Sequence, residues 1–199
     1  MTVKQSKEYN NQSREILSKI AELKKSGDFN SVYKFLDELS EKGNQEMMSK
    51  ACEEGLWEKT NWAGFNVLHS ACEVGNLRLV KSLIECNCNK ETKDNDYKST
   101  PLMYASNNGY LSVVQYLISV GANKDAKNSI GWTPLICASY NGRLAVVQYL
   151  ITVGANKDAK TNDADTALIW ASRNGQRAVV KYLISVGANK DAEDNDGNI

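Results

Sequence analysis

Few residues in this sequence have the types and spacing that catalysis or metal binding requires. Cys86 and Cys88 stand one residue apart, but no second pair of cysteine or histidine follows at zinc-site spacing. Asp94-Asn95-Asp96 resembles the start of a calcium loop, yet the glycine and the terminal glutamate at the required offsets are missing. The sequence also lacks a glycine-rich loop that could hold phosphates. It therefore predicts no enzyme activity, no cofactor and no metal site.

Composition narrows the classes of partner. Lysine and arginine total 24 and aspartate and glutamate total 24, so no basic excess favours nucleic acid or an anionic membrane surface. The N-terminal region is polar where a signal peptide would be apolar, and no uninterrupted apolar stretch is long enough to span a bilayer. The five cysteines are an odd number at unrelated positions, which favours reduced thiols. We therefore expect a cytoplasmic protein, with the nucleus as the alternative, that binds neither nucleic acid nor membrane.

The dominant feature of the sequence is a segment that returns every 33 residues. Thr100-Pro101-Leu102, Thr133-Pro134-Leu135 and Thr166-Ala167-Leu168 occupy the same place, since 133 − 100 and 166 − 133 both equal 33. The run Val-Gly-Ala-Asn-Lys-Asp-Ala recurs with the same period. A fixed period of this size predicts stacked structural units.

The amino-acid sequence of the repeat resembles the ankyrin repeat. That motif reads roughly Gly-x-Thr-Pro-Leu-x-x-Ala, then Gly, then Val-x-x-Leu-Leu, then Gly-Ala, and residues 131–155 follow this order almost throughout. The resemblance covers about two-thirds of the chain, and the near-identical units also resemble the large ankyrin families of protists. It implies an all-α fold, an ankyrin-repeat α-solenoid of helix-turn-helix units joined by β-turn loops, with an N-terminal helical cap.

The repeats divide the chain into segments. We predict a disordered terminus over residues 1–12, an N-terminal helical cap over 13–60, ankyrin repeats over 61–94, 95–127, 128–160 and 161–193, and the start of a truncated repeat over 194–199. An end unit of such an array has to cover the next core while it offers a polar face to solvent, which is why we interpret residues 13–60 as a cap.

The cap should contain three helices. The first has four apolar residues on one face: Ile16, Leu17, Ile20 and Leu23. The second is predicted over residues 28–41 and the third over 44–54. Because residues 27–36 align with residues 75–84 without a gap, the cap is either a degenerate repeat or a simple helical hairpin.

The first, second and fourth repeats depart from the regular pattern, the first with Asn66-Val67 in place of Thr-Pro and Asn87-Cys88 in place of Gly-Ala. The second has one extra residue between Asp94 and Ser99, as the spacing of 34 from Leu68 to Leu102 shows, and an insertion of this kind belongs in an exposed turn tip. In the fourth, Ala164 takes the place of Gly131. If that position needs a positive φ, the alanine costs about 1 to 2 kcal/mol.

The framework of each unit should depend on its neighbours, because its two helices are too short to be stable alone. In the second helix of the second repeat we expect Leu111, Val113, Val114, Leu117 and Ile118 to be buried and Ser112, Gln115 and Ser119 to face water. Alanines at 71, 105, 138 and 171 should allow the first helices to approach closely. Thr100 and Thr133 should cap first helices. The resemblance also implies that His69 hydrogen-bonds the turn framework rather than acting in catalysis.

The resemblance places partner binding at the turn tips and on the concave side of the first helices. The candidate residues at those places are Trp62, Phe65, Glu73, Tyr104, Asn107, Asn108, Ser129, Ile130, Trp132, Tyr140, Asn141, Asp163, Asp165, Trp170, Arg173 and Asn174. The second helices repeat almost unchanged while these positions differ between repeats. Tryptophan, tyrosine and arginine are enriched at binding hot spots. The alternative is that the aromatic residues only pack on their own repeat.

We therefore expect a monomeric, non-catalytic protein–protein interaction module that presents a concave surface to an unidentified protein. The alternative is a structural spacer or scaffold segment of a longer ankyrin array. A third reading is a regulatory domain of an enzyme. Repeat scaffolds serve unrelated ligands, so the sequence names no partner.

Overall fold

The computed structural model describes residues 3–190, with side chains from residue 13 onward. This part of the chain is helical, with no strand, which confirms the predicted all-α class. Its α-helices are α1 Val3–Ser26, α2 Phe29–Glu41, α3 Gln45–Glu53, α4 Val67–Glu73, α5 Leu77–Glu85, α6 Pro101–Asn108, α7 Leu111–Ser119, α8 Pro134–Tyr140, α9 Leu144–Thr152, α10 Ala167–Arg173 and α11 Arg177–Ser185. The truncated repeat predicted over 194–199 lies outside the described residues.

The chain divides into two units. The first unit comprises Met1–Leu68 and Arg78–Asn89, and the second comprises His69–Leu77 and Lys90–Ile199. We describe each unit by itself.

The first unit contains α1 to α3, whose bounds correct one prediction. Helix α1 begins at Val3, so the disordered terminus predicted over residues 1–12 is wrong for residues 3–12. Lysine, glutamine and glutamate are good helix formers, and extending a helix that already exists costs little, so no apolar periodicity is needed there. The second and third helices lie within a residue of the predicted limits, and Asp28 and Asn44 cap their N-termini.

Fewer apolar residues of α1 are buried than predicted. Ile20 and Leu23 are buried and Ile16 is half-buried, but Leu17 is 42% exposed. Successive helix residues are about 100° apart, so the residue after Ile16 turns away from the face that Ile20 and Leu23 share.

In the second unit, helices pack on their equivalents in the next repeat. Helix α6 contacts α8 and α8 contacts α10, while α7 contacts α9 and α9 contacts α11. The alanines at 105, 138 and 171 are fully buried in the first helices, as predicted. On α7, Val113, Val114 and Leu117 are buried and Ser112 and Gln115 are exposed, which confirms the predicted amphipathic pattern. Leu111 and Ile118 are only half-buried, at the edge of the apolar face.

A column of long side chains also joins the repeats, and the sequence analysis missed it. Arg143 Nε donates a hydrogen bond to the Asn107 carbonyl at 3.0 Å, and Gln176 Nε2 donates to the Tyr140 carbonyl at 3.2 Å. The Gln176 side chain covers Gly142 of the preceding repeat, where a Cβ atom would lie 2.1 Å from Gln176 Oε1. These positions differ in residue type between repeats, so periodicity alone does not mark them.

A second series of inter-repeat bonds uses acidic side chains. Carboxylates of Glu91, Asp125 and Asp158 accept hydrogen bonds from the backbone N–H groups of Asn123, Asn156 and Asn189, at 2.8, 2.8 and 2.9 Å. Each carboxylate comes from the repeat before the amide that it binds, so the series fixes the spacing of successive units.

Thr100 and Thr133 lie at the N-caps of α6 and α8, as predicted, but only Thr133 makes the side-chain capping bond. Thr133 Oγ1 accepts the Ile136 N–H at 3.3 Å. The Thr100 hydroxyl is buried and has no hydrogen-bond partner within the described residues. Met103 replaces isoleucine at the N3 position of this helix, and its sulfur accepts the Thr100 N–H at 3.4 Å.

The inserted residue lies in a turn tip, as predicted. Asn128 Oδ1 accepts the N–H of Trp132, four residues later, whereas Asp94 Oδ2 accepts the N–H of Ser99, five residues later. Adjacent tips are joined through their backbones, since the Ser129 N–H donates to the Tyr97 carbonyl at 2.7 Å. The tips therefore form an ordered edge of the second unit.

Ala164 adopts the strained backbone conformation that the sequence analysis considered. Its φ is 65°, close to the 80° of Gly131 in the preceding repeat. A left-handed backbone costs a residue with a Cβ atom about 1 kcal/mol or more. Glycine at position 164 would remove that cost.

We predict that Ala164→Gly raises the free energy of unfolding by about 1 kcal/mol, because relief of backbone strain outweighs the added entropy of the unfolded chain. Gly131→Ala is the matched control. It should destabilise the protein, because its φ is 80° and its Cβ would lie 2.7 Å from the Asn162 backbone nitrogen. Urea denaturation of both variants measures this. An Ala164→Gly protein no more stable than the parent would contradict the prediction.

Candidate functional site

A groove in the second unit brings several predicted binding residues together. It lies between the second and third repeats, has a volume of about 420 Å³, and is lined by turn-tip residues and by the first helices α6 and α8. Four of the predicted residues line it: Tyr104, Asn107, Ile130 and Trp132. None of the lining side chains is lysine, arginine, aspartate or glutamate. The groove therefore suits an uncharged group.

A cluster of three aromatic rings adjoins this groove through Trp132. The ring centroids of Trp132 and Tyr140 are 5.3 Å apart, those of Trp132 and Trp170 are 5.1 Å apart, and those of Tyr140 and Trp170 are 5.6 Å apart. All three side chains are half-buried. The aromatic residues therefore do pack against other side chains, as the alternative interpretation expected. They do so across two repeats rather than on their own repeat alone, and part of each ring stays exposed.

Arg173 extends the aromatic cluster. Its guanidinium carbon lies 5.6 Å from the Trp170 ring centroid, within the range of a cation–π contact. Its Nη1 atom forms an ion pair with Asp165 Oδ1 at 2.7 Å. Arg173 remains exposed, so a positive charge stands at this end of the surface.

The structure corrects the interpretation of Asp165. This residue was predicted to contact a partner, but it is only 3% exposed. It is the last residue of its turn, equivalent to Trp132 in the preceding repeat, and its carboxylate is turned towards Arg173. Asp165 therefore positions Arg173, while Asp163 in the same tip is exposed.

The asparagines at the ends of the first helices have framework contacts as well. Asn108 donates to the Tyr104 carbonyl at 3.0 Å, Asn141 to the Cys137 carbonyl at 3.4 Å, and Asn174 to the Trp170 carbonyl at 2.9 Å. Asn141 Nδ2 also donates to Asn107 Oδ1 at 2.6 Å, which connects the two repeats. These amides are held in fixed orientations.

Asp94 organises one tip of the groove, and the sequence analysis considered it only as part of a calcium loop. It is fully buried, at 0% exposure. Its carboxylate accepts hydrogen bonds from the Tyr97 N–H at 2.8 Å, from the Ser99 N–H at 3.0 Å and from the Tyr104 hydroxyl at 2.8 Å. Its position corresponds to Asn128 in the next repeat, which is the signal that could have identified it.

His69 supports the same tip, in agreement with its predicted structural role. Its Nε2 atom is 3.2 Å from the Ser99 carbonyl oxygen, and its ring meets the Tyr104 ring edge-on at a centroid distance of 5.7 Å. Burial lowers the pKa of His69, so the neutral imidazole is favoured.

The remaining predicted residues are not among those that line the groove. Trp62 and Phe65 belong to the tip in the first unit, where Trp62 is 98% exposed. Glu73 belongs to the second unit and is exposed, and partial burial raises the pKa of its carboxyl group. Ser129 is exposed beside Ile130 but does not line the groove.

A larger open groove in the first unit is a weaker candidate for a binding site. It has a volume of about 850 Å³ and lies between α1, α2 and the turn after α2. Lysines 19, 34 and 42 and glutamates 15 and 38 line it, so its charges are mixed. None of the predicted binding residues lines this groove.

Metal-binding clusters and membrane-spanning helices are both absent from the described part of the chain. Among the described residues, no group of three or more histidine, cysteine, aspartate or glutamate side chains could hold a metal ion. No helix between residues 3 and 190 has the length and apolar character needed to cross a membrane.

Comparison with known proteins identifies a repeat family and several partial relatives. A family model of ankyrin repeats in three copies matches residues 24–128 and 102–194. Human protein phosphatase 1 regulatory subunit 27 is 39% identical over 69 residues, which cover 35% of this chain and 44% of that protein. Alpha-latrotoxin-Lh1a of Latrodectus hasselti is 43% identical over 72 residues, 35% of this chain and 5% of the toxin. Dauer abnormal formation protein 25 of Caenorhabditis elegans is 38% identical over 69 residues, 35% of this chain and 18% of that protein. The chain thus spans less than half the length of each of these relatives.

The bond between Tyr104 and Asp94 leads to a prediction about stability. Tyr104→Phe should lower the free energy of unfolding by about 1.5 to 3 kcal/mol, the usual contribution of a hydrogen bond to a charged group. Burial first, and then the bond to Asp94, raise the pKa of Tyr104. Its contribution is therefore complete below about pH 10, the ordinary tyrosine pKa, and declines as the pH rises above it.

Urea denaturation at neutral and alkaline pH tests this prediction. Tyr97→Phe is the control, because Tyr97 is exposed in the same tip. Equal stability of the Tyr104→Phe and Tyr97→Phe proteins at neutral pH would show that the buried bond does not hold the tip.

Proposed function

The chain belongs to the ankyrin-repeat family, and on that premise we propose that it is a non-catalytic module that binds another protein with the groove and aromatic cluster of its second unit. The observation that carries the proposal is the uncharged groove of about 420 Å³ that opens beside the rings of Trp132, Tyr140 and Trp170. Ankyrin repeats generally mediate protein–protein interaction. We propose that this protein binds its partner on the concave side of its first helices.

The rigidity of the groove supports binding. Asp94 and Asn128 hold their tips through bonds to backbone N–H groups, and a backbone bond from Ser129 to Tyr97 joins the two tips. A surface that is already ordered loses little conformational entropy when a partner binds. The side chains exposed on it can therefore contribute their contact energy directly to affinity.

The chemistry of the surface indicates what it would bind. An uncharged lining favours an apolar or aromatic side chain of the partner, because a charged group would lose its hydration without gaining an opposite charge. Trp132, Trp170 and Arg173 are of the types most often found at binding hot spots. We propose that a partner segment places one uncharged side chain in the groove and continues over these residues.

The relatives are compatible with a binding role. One of them is named as a regulatory subunit of a phosphatase, which is a protein that acts through another protein. We extend to this chain only the general role of a partner-binding protein. We also propose that it acts as a monomer in the cytoplasm or nucleus, where its free cysteines would stay reduced.

A charge placed at the rim of the groove tests the proposal. Ile130 is exposed at the rim and lines the groove, whereas its neighbour Ser129 is exposed and does not. We predict that Ile130→Asp weakens binding of a captured partner at least tenfold, or about 1.4 kcal/mol, while Ser129→Asp leaves it unchanged. Partners are captured from lysate with the parent protein, identified by mass spectrometry, and then measured one by one with all three purified proteins.

The outcomes separate the hypotheses. Equal affinity of the parent and Ile130→Asp proteins for every captured partner would rule out the groove as the binding site. Failure of the parent protein to capture any partner would support the alternative of a structural spacer in a longer ankyrin array. Circular dichroism of both variants verifies that they are folded.

A further inference from the structure

Three of the five cysteines converge in the first unit. Cys52 on α3 and Cys88 after α5 place their sulfur atoms 3.7 Å apart. Both are nearly buried, with exposures of 8% and 6%. Their spacing in the chain gives no sign of this contact, because the fold joins positions that are 36 residues apart.

The third cysteine of this cluster is Cys86, which is half-exposed. Gln45 Nε2 donates a hydrogen bond to its sulfur at 3.5 Å, and the Ser49 hydroxyl lies 3.5 Å from the same sulfur. Ser49 and Cys52 are three residues apart on α3, so Cys86 lies beside the turn of the helix that carries Cys52. Cys86 thus lies between solvent and the buried pair.

From this arrangement we propose that Cys52 and Cys88 form a reversible disulfide when the protein meets an oxidised low-molecular-weight disulfide, and that Cys86 is the first thiol to react. The site takes a small aliphatic disulfide as its oxidant. The proposed binding function does not depend on this disulfide.

The exchange proceeds through three thiol attacks, each by a thiolate that has lost its proton to solvent. Cys86 attacks one sulfur of the small disulfide, whose S–S bond breaks, and the first small thiol leaves. Cys52 then attacks the Cys86 sulfur and displaces the second small thiol. Finally Cys88 attacks the Cys52 sulfur and returns Cys86 to a free thiol. In total two protein thiols lose two electrons and two protons, and the small disulfide is reduced to two thiols.

The geometry suits the final bond. A disulfide is about 2.05 Å long, so the two sulfurs need to approach by about 1.7 Å from their present 3.7 Å. The contact with Cys88 and burial raise the pKa of Cys52, and burial raises the pKa of Cys86. Both thiols are therefore mainly protonated at neutral pH, so the exchange is slow there and becomes faster as the pH rises.

The disulfide would stabilise the first unit. It would connect α3 to the residues after α5 and close the intervening chain into a loop, which reduces the conformational freedom of the unfolded state. The stability of this unit would then depend on the redox state of its surroundings.

Oxidised glutathione is the probe for the test. The reduced full-length protein is incubated with it, and the products are followed by intact mass and by peptide mapping. We expect the loss of two hydrogens, a peptide that joins Cys52 to Cys88, and a higher urea midpoint that dithiothreitol reverses. A final product with glutathione on Cys86 alone, or with a different cysteine pair, would overturn the proposal, as would an unchanged urea midpoint.

Variants test the order of reaction. Cys86→Ser should form the same disulfide roughly tenfold more slowly, because the accessible thiol is lost, and formation at the parent rate would refute its role as the entry point. Cys88→Ala should stop at the Cys52–Cys86 disulfide, because the third attack is lost, and absence of that disulfide would contradict the proposed order. Cys137→Ala removes a buried cysteine of the second unit and should oxidise as the parent does. The mapping of the parent protein needs no variant, so it stands even if a substitution prevents folding.

Discussion

Burial between neighbouring repeats is the interaction on which the second unit depends. Its helices have seven to nine residues, well below the length at which a helix is stable alone in water. Val114, Leu117, Val147 and Leu150 are fully buried because the next repeat covers them, and the small alanines of the first helices allow that contact. Residues that are fully buried against a neighbouring repeat are therefore committed to the framework.

The turn tips connect this framework to the proposed binding surface. In each tip of the second unit, a polar side chain at the first residue accepts a hydrogen bond from the backbone N–H of the last residue. Asp94 accepts from Ser99 and Asn128 from Trp132, and Thr161 Oγ1 accepts from Asp165 at 3.1 Å. The tips are fixed, so the residues between these anchors can differ in type without loss of structure. The groove and the aromatic cluster are formed largely by residues of this variable kind. Under the proposed function they would meet a partner on a scaffold that does not have to reorganise.

Much of the framework could be predicted because it follows from local periodicity. The repeat length, the two helices per unit, the amphipathic face of α7, the Thr133 cap and the inserted residue of the second tip all follow from spacing in the chain. The errors have particular causes. Thr100 lies at the N-cap as predicted, but its hydroxyl makes no capping bond. Leu17 is exposed because it lies about 100° around the helix from Ile16, away from the face that Ile20 and Leu23 share. The start of α1 was missed because helix propensity, rather than an apolar pattern, extends it.

The sequence by itself determined that this protein is a stack of helical repeats, and which positions differ enough between repeats to carry specificity. Only the tertiary structure decided the use of those positions: Asp165 turns inward to hold Arg173, three aromatic rings from two repeats share one cluster, and Cys52 meets Cys88. The physical reason is the range of the interactions. Helix periodicity and capping act within a few residues and can be recognised in the sequence. Aromatic ring contacts, buried carboxylates and thiol contacts join residues that folding brings together, and their partners depend on the packing of each repeat.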